Sequence, residues 1–126
     1  MNDEHKQYIV NNELMDREHR VLIDILVRLN DGKDVTFIIF DLLKYSNEHF
    51  AHEEELMTSS DYPMNESHTK QHRWFVARIL RVIKSKTYNA ADVRSFLYMW
   101  LLNHINVCDR DLAEHIKSRS ENERTS

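Results

Sequence analysis

Seven residues of this 126-residue chain combine imidazole and carboxylate groups at spacings suited to holding two metal ions. His49 and Glu53 lie four residues apart in HFAHEEELM, and His68 and His72 repeat that interval in HTKQH. WLLNHINVCD supplies His104 and, five residues on, Asp109, while MDREH supplies His19. Residues four apart stack on one helical face, because an α-helix turns about 100° per residue. Imidazole is the commonest metal ligand, and the two oxygens of a carboxylate can serve two cations at once. Five imidazoles with two carboxylates suit iron, and suit zinc, copper or manganese less specifically. The absence of cysteine from the pattern argues against an iron–sulfur cluster or a structural zinc. Glu53 and Asp109 would offset part of the charge of two divalent ions, which makes burial of the site tolerable.

Four amphipathic segments must position these groups. The first runs from about Leu14 to Leu29, with Met15, His19, Leu22, Ile23, Leu26 and Leu29 on one stripe and Asn30-Asp31-Gly32 as its stop. The second runs from about Asp34, as N-cap, to Met57, and turns Ile38, Ile39, Leu42, Tyr45, Ser46, His49, Glu53 and Leu56 inward. After the loop Thr58–Tyr62, Pro63 opens the third, which passes through His68, His72, Phe75, Val76, Ile79 and Ile83 to Lys86. Asn89 caps the fourth, with Asp92 three residues later, and that helix continues through Val93, Phe96, Leu97, Trp100, Leu101, His104, Ile105 and Leu112 to about Lys117. Short connections between long helices predict an all-α, antiparallel up-down-up-down four-helix bundle. A single Gly and a single Pro leave little material for hairpins. The expected organisation is one domain over residues 1–126: an arm over about 1–12, a bundle over about 13–117, and a frayed polar tail over 118–126.

One interval does not fit a regular helix. Five residues carry His104 about 140° away from Asp109 on an α-helix, so both reach one site if the helix widens between them, or else if a regular helix crosses the site at an angle and the two side chains reach in from opposite edges. The spacing predicts a π-type turn there.

Other candidate groups read as ordinary. His52 lies about 60° around the helix from His49 and is expected at the periphery. His5 and His115 are expected to face solvent, and Glu54 and Glu55 to form a solvated face from which one could support a ligand. Met57, Met64 and Met99 are expected as core filler, and Cys108 as a small core or half-buried residue.

In this order, LMDREH, HFAHEE, DYP, HTKQH and WLLNHINVCD resemble the motifs of the hemerythrin family in its single-domain bacterial form, over roughly residues 8–112. The resemblance implies a non-haem di-iron centre with a bridging oxo or hydroxo group that binds O2 reversibly. It implies that His68, His72 and His104 bind one iron, that His19 and His49 bind the other, and that Glu53 and Asp109 bridge the pair. It further implies an apolar O2 pocket lined by Leu22, Phe50, Trp100, Leu101 and Ile105. Two positions depart from the family pattern: Glu4 stands where the family commonly has an arm tryptophan, four residues before Tyr8, and Leu112 where it often has a tyrosine.

Composition excludes several functions. No apolar run is long enough to span a membrane, and a net charge of −4 without a basic stripe speaks against nucleic acid. The polar N-terminus and the single Cys108 suit a reducing cytoplasm. No histidine has a glutamate three residues before it, which argues against the Glu-x-x-His di-iron oxidases. The expectation is therefore a cytoplasmic O2 binder for storage, delivery or scavenging, not an enzyme, and a monomer or weak oligomer. The alternatives are an O2-, NO- or redox-sensing module acting through a partner, and a di-iron enzyme that removes peroxide or NO.

Overall fold

Asn12 starts the first helix, its Oδ1 accepting the Met15 backbone N–H at 3.1 Å while Asp16 Oδ1 reaches back to the Val10 N–H at 2.7 Å. The Asn12 bond satisfies a donor that the helix start would otherwise leave orphaned, and the Asp16 bond ties the chain just before the cap to the first turn. The structure, a computed structural model, describes residues 9–31, 35–85 and 89–125. Within them, α1 spans Glu13–Val27 and tightens into a 3₁₀ turn at Arg28–Asp31. α2 spans Val35–Ser59 and α3 Asn65–Ser85. α4 (Ala90–His104) passes through a π-helical turn at Ile105–Asp109 directly into α5 (Arg110–Thr125), so these three pieces form the fourth rod of a four-helix bundle.

The helix ends follow their local chemistry. Asn89 Oδ1 accepts the Asp92 N–H at 3.1 Å and caps α4 as its spacing predicts. At the end of α2, Asp61 adopts φ 53°, and the Tyr62 N–H bonds back to the Met57 carbonyl at 3.0 Å. This is a left-handed helix stop with an aspartate in place of glycine, and both Met57 and Tyr62 are buried. The stops and caps expected from Gly32, Asp34 and Lys86, and the arm residues Glu4, His5 and Tyr8, lie outside the described residues.

α1 packs on α2, α2 on α3, and α4 on α1. Met15, Leu22, Leu26, Ile39, Leu42, Phe75, Ile79, Leu97 and Leu112 close the core between them. Among the described residues no helix is long and apolar enough to cross a membrane.

Several sequence expectations need correction. Tyr45 is exposed, because the inward stripe of α2 runs Leu42, Ser46, His49, Glu53 and Met57, leaving Tyr45 beside it. Met64 and Met99 are exposed as well, and of the three methionines assigned to the core only Met57 is there. His115 is half-buried, its Nε2 2.8 Å from the Ser60 carbonyl oxygen. The helix does not stop near Lys117: α5 continues to Thr125. Nothing after Lys117 breaks a helix, and Arg119 ties it to Asp61 with a 3.0 Å ion pair.

Candidate metal centre

Each helix contributes to one buried cluster. α1 supplies His19, α2 His49 and Glu53, α3 His68 and His72, and α4 with the π turn His104 and Asp109; all seven are almost wholly removed from solvent. The two carboxylates lie at the middle and divide their oxygens between two sets of imidazoles. Glu53 Oε1 stands 2.8 Å from His72 Nε2 and 3.2 Å from His68 Nε2, while Oε2 stands 2.9 Å from His49 Nε2 and 3.7 Å from His19 Nε2. Asp109 divides in the same way. Its Oδ1 faces His68 at 3.0 Å and His104 at 3.1 Å, and its Oδ2 faces His19 at 2.8 Å and His49 at 3.9 Å. The donor atoms of His68, His72, His104, Glu53 and Asp109 all lie within 4.8 Å of one another, as do those of His19, His49, Glu53 and Asp109. The structure thus brings together every residue that the sequence singled out, in a three-and-two division of the histidines.

Asp109 reaches this point through the π turn. The Arg110 N–H bonds to the Ile105 carbonyl, an i→i−5 closure, and the wider coil turns Asp109 to the same side as His104.

The outer nitrogens of the rings are held by residues that sequence reasoning largely missed. His49 Nδ1 lies 2.9 Å from Glu18 Oε1, His72 Nδ1 3.0 Å from Glu54 Oε2, and His104 Nδ1 3.0 Å from Gln71 Oε1. Such partners fix the tautomer so that Nε2 presents a lone pair inward. Glu54 was a candidate for this role; Glu18 and Gln71 were not. Each precedes a site histidine in the chain yet bonds a histidine on a different helix, so no local spacing reveals it. Exposed His52 shares Glu18 with His49, which agrees with its expected place at the periphery. Cys108 is half-buried, and its thiol donates to the same Gln71 oxygen at 3.2 Å.

Apolar and aromatic groups close the cluster. Phe50 stacks on His72 with ring centroids 4.0 Å apart, and half-buried Trp100 stacks on His104 at 4.8 Å. Leu22 lies beside His49 in a small cleft, while Leu101 and Ile105 are wholly buried.

The polar atoms at the middle are badly matched to one another, and well matched to cations. His49 Nε2, His104 Nε2, Glu53 Oε2 and Asp109 Oδ1 are buried without a well-aligned hydrogen bond. Orphaned polar atoms of this kind are costly, and converging ones point to an ion that satisfies them together. Without such an ion, protons must supply the positive charge. Burial opposes a charge on His49 and His104, but Glu53 and Asp109 hold both rings well above the ordinary imidazole range. Burial likewise opposes ionisation of Glu53 and Asp109, yet the surrounding imidazoles hold both well below the carboxylate range. Ionised carboxylates and imidazoles that carry protons where cations would sit are what a metal site leaves when its metal is exchanged for protons. The donor set fits two metal ions.

Comparison with known proteins agrees with this geometry. The family model of the hemerythrin HHE cation binding domain matches residues 10–118. The chain is 29% identical to a bacteriohemerythrin of Stenotrophomonas maltophilia over 115 residues, covering 84% of this chain and 75% of that one. It is 29% identical to a bacteriohemerythrin of Pseudomonas aeruginosa over 126 residues, covering 86% and 82%. It is 32% identical to a myohemerythrin of Riftia pachyptila over 95 residues, covering 75% and 77%. No solved structure gives a significant match. With the family model spanning nearly the whole bundle and the buried histidines and carboxylates at its centre, the chain belongs to the hemerythrin family of cation-binding domains.

Proposed function

We propose that this protein holds two iron ions and binds O2 reversibly, as a store, carrier or scavenger. His68, His72 and His104 would hold one iron, His19 and His49 the other, and Glu53 and Asp109 would bridge them. The observation that carries this reading is the division of both carboxylates: Glu53 turns Oε1 toward His68, His72 and His104 and Oε2 toward His19 and His49, while Asp109 turns Oδ1 toward His68 and His104 and Oδ2 toward His19 and His49. Three histidines and two carboxylates would supply more protein ligands to one iron than two histidines and the same carboxylates would supply to the other, which would leave the second with more room for a small ligand. A di-iron centre so held supplies reversible O2 binding. The chain's own part is to keep that place dry and rigid. Leu22, Phe50, Leu101 and Ile105 present no donor that would protonate a bound ligand, and Trp100 seals the His104 side. Glu18, Glu54 and Gln71 hold the rings in one orientation and leave their inner nitrogens free of protons once metal is present.

The test is an iron assay with absorption spectra of reduced, oxygenated and deoxygenated protein. Two irons per chain and a visible band that comes and goes with O2 support the reading. Irreversible conversion to the ferric form on first exposure would overturn reversible binding.

A further inference from the structure

A run of aromatic rings leads from the candidate centre to the protein surface. Trp100 lies nearly parallel to the His104 ring, at 9° and 4.8 Å, and also stacks on Phe75 at 4.4 Å. Trp74 continues the stack outward, at 19° and 6.0 Å from Trp100, and is itself 48% exposed. Through Phe75 and Phe50, Trp100 also connects to His72, so both branches end on the three-histidine side. The inner rings Phe75 and Phe50 are buried, whereas the outer indole reaches solvent.

The helix that carries Trp74 is predominantly basic. α3 carries Lys70, Arg73, Arg78, Arg81 and Lys84 against Glu66 alone, in a chain whose net charge is −4. Lys70, Trp74, Arg78 and Arg81 follow one another at helical spacing and share one face. Lys70 is paired with Glu66 at 3.6 Å, and Arg78 lies over the ring of exposed Phe96, 5.9 Å from Trp74. Exposed tryptophan and arginine together are the side chains that most often dominate a binding surface.

From this arrangement we infer that Trp74 is an electron-entry point, at which an acidic one-electron carrier protein docks and reduces the ferric centre through Trp100 and His104. The inference rests on the di-iron reading. In each encounter one electron leaves the carrier, which is oxidised by one, and one ferric ion becomes ferrous. No bond forms or breaks in that step, and the indoles bridge the gap without being oxidised. Two encounters return an oxidised pair to the ferrous state that binds O2.

The probe is a reduced plant-type [2Fe–2S] ferredoxin, which is acidic and of low potential, with dithionite as the small reductant that needs no docking surface. Ferric protein is mixed with each, and the loss of its visible absorption is followed. Trp74→Leu should lower the limiting rate at saturating ferredoxin about tenfold and leave the dithionite rate within about twofold. The double variant Arg78→Glu with Arg81→Glu should raise the ferredoxin concentration for half-maximal rate and flatten its salt dependence, with the limiting rate kept. A separate readout uses the metal-free protein: oxidised ferredoxin should shift the Trp74 indole N–H resonance at low salt, and added salt should reverse the shift. An unchanged limiting rate in Trp74→Leu, or equal slowing with dithionite, overturns the conduit; no indole shift overturns the docking surface. Failure of the di-iron reading is distinguishable, since the wild-type chain would then hold no iron and show no band for dithionite to bleach.

Discussion

Replacing Glu53 with glutamine removes one negative charge from the middle of the bundle and leaves side-chain volume nearly unchanged. In the native chain Oε1 of Glu53 lies 2.8 Å from His72 Nε2 and Oε2 lies 2.9 Å from His49 Nε2, so each oxygen serves a different set. An amide offers a single oxygen and must turn its NH₂ toward the other set. An NH₂ has no lone pair for a cation, so whichever set it faces loses a ligand. The two ions would also lose half of their compensating carboxylate charge. Breaking a buried charge pair costs about 3–5 kcal/mol, which corresponds to roughly two to four orders of magnitude in affinity. Purified under conditions that load the native protein, Glu53→Gln should retain no more than one iron per chain by elemental analysis. The control is His52→Ala, whose exposed ring touches Glu18 and not the centre, and which should retain full iron. Far-ultraviolet dichroism checks that both variants are folded. Full iron with a native spectrum in Glu53→Gln, or equal iron loss in both variants, would refute the bridging assignment.

Gln71→Leu removes the acceptor that His104 Nδ1 and the Cys108 thiol share, and should weaken iron binding about 10–100-fold, with Gln71→Glu restoring it in a chelator competition. Iron held by the native state alone would add to its stability, so chelation should lower Tm, and matched melting curves with and without chelator would show that the histidines are not a site. The chelated protein should also lose stability with rising pH. Burial lowers the proton affinity of His68, but bonds to Asp109 and Glu53 outweigh it and raise its pKa from 6.5 to about 9. A folded pKa above the unfolded one gives stability that is complete below about pH 6.5 and fades as pH rises through about 9, so a flat Tm across that window would contradict the geometry. Phe50→Ala, at a buried ring stacked on His72, should cost about 3–5 kcal/mol in denaturant unfolding, and a loss under 1 kcal/mol would mean the ring is not packed as described.

Much of this protein is readable from intervals along the chain. Four-residue intervals put His49 beside Glu53 and His68 beside His72 on one face, and the five-residue interval from His104 to Asp109 implied the widened turn that is found. What the intervals do not carry is the relation between helices. Glu18 holds His49 from 31 positions away and Gln71 holds His104 from 33, so only the assembled bundle brings them together. Tyr45 shows the opposite error: its hydrophobicity suggested burial, but the turn angle of α2 had already given the inward place to Ser46. The helix after Lys117 was illegible for a third reason. A polar segment has no core to recommend it, yet it continues a helix already nucleated upstream and rests on Asp61.

The widened turn also has a meaning for chain length. Adding one residue to an α-helix rotates everything beyond it by about 100°, which ordinarily turns a buried face out to water. Before the turn the bundle-facing residues are Leu97, Leu101 and His104; after it they are Asp109, Leu112 and Ala113. Remove Val107, which faces solvent, and Asp109 would follow His104 by four. Both groups would then fall on one unbroken α-helical stripe. The turn is in effect a surplus residue that the helix accommodates without altering which side chains face inward. Most of this rod could not change length by one residue without scrambling its faces, but here such a change is silent to the core. Its effect is local: the extra residue widens the coil between two groups that face Glu53, and it brings a thiol to the amide that steadies His104.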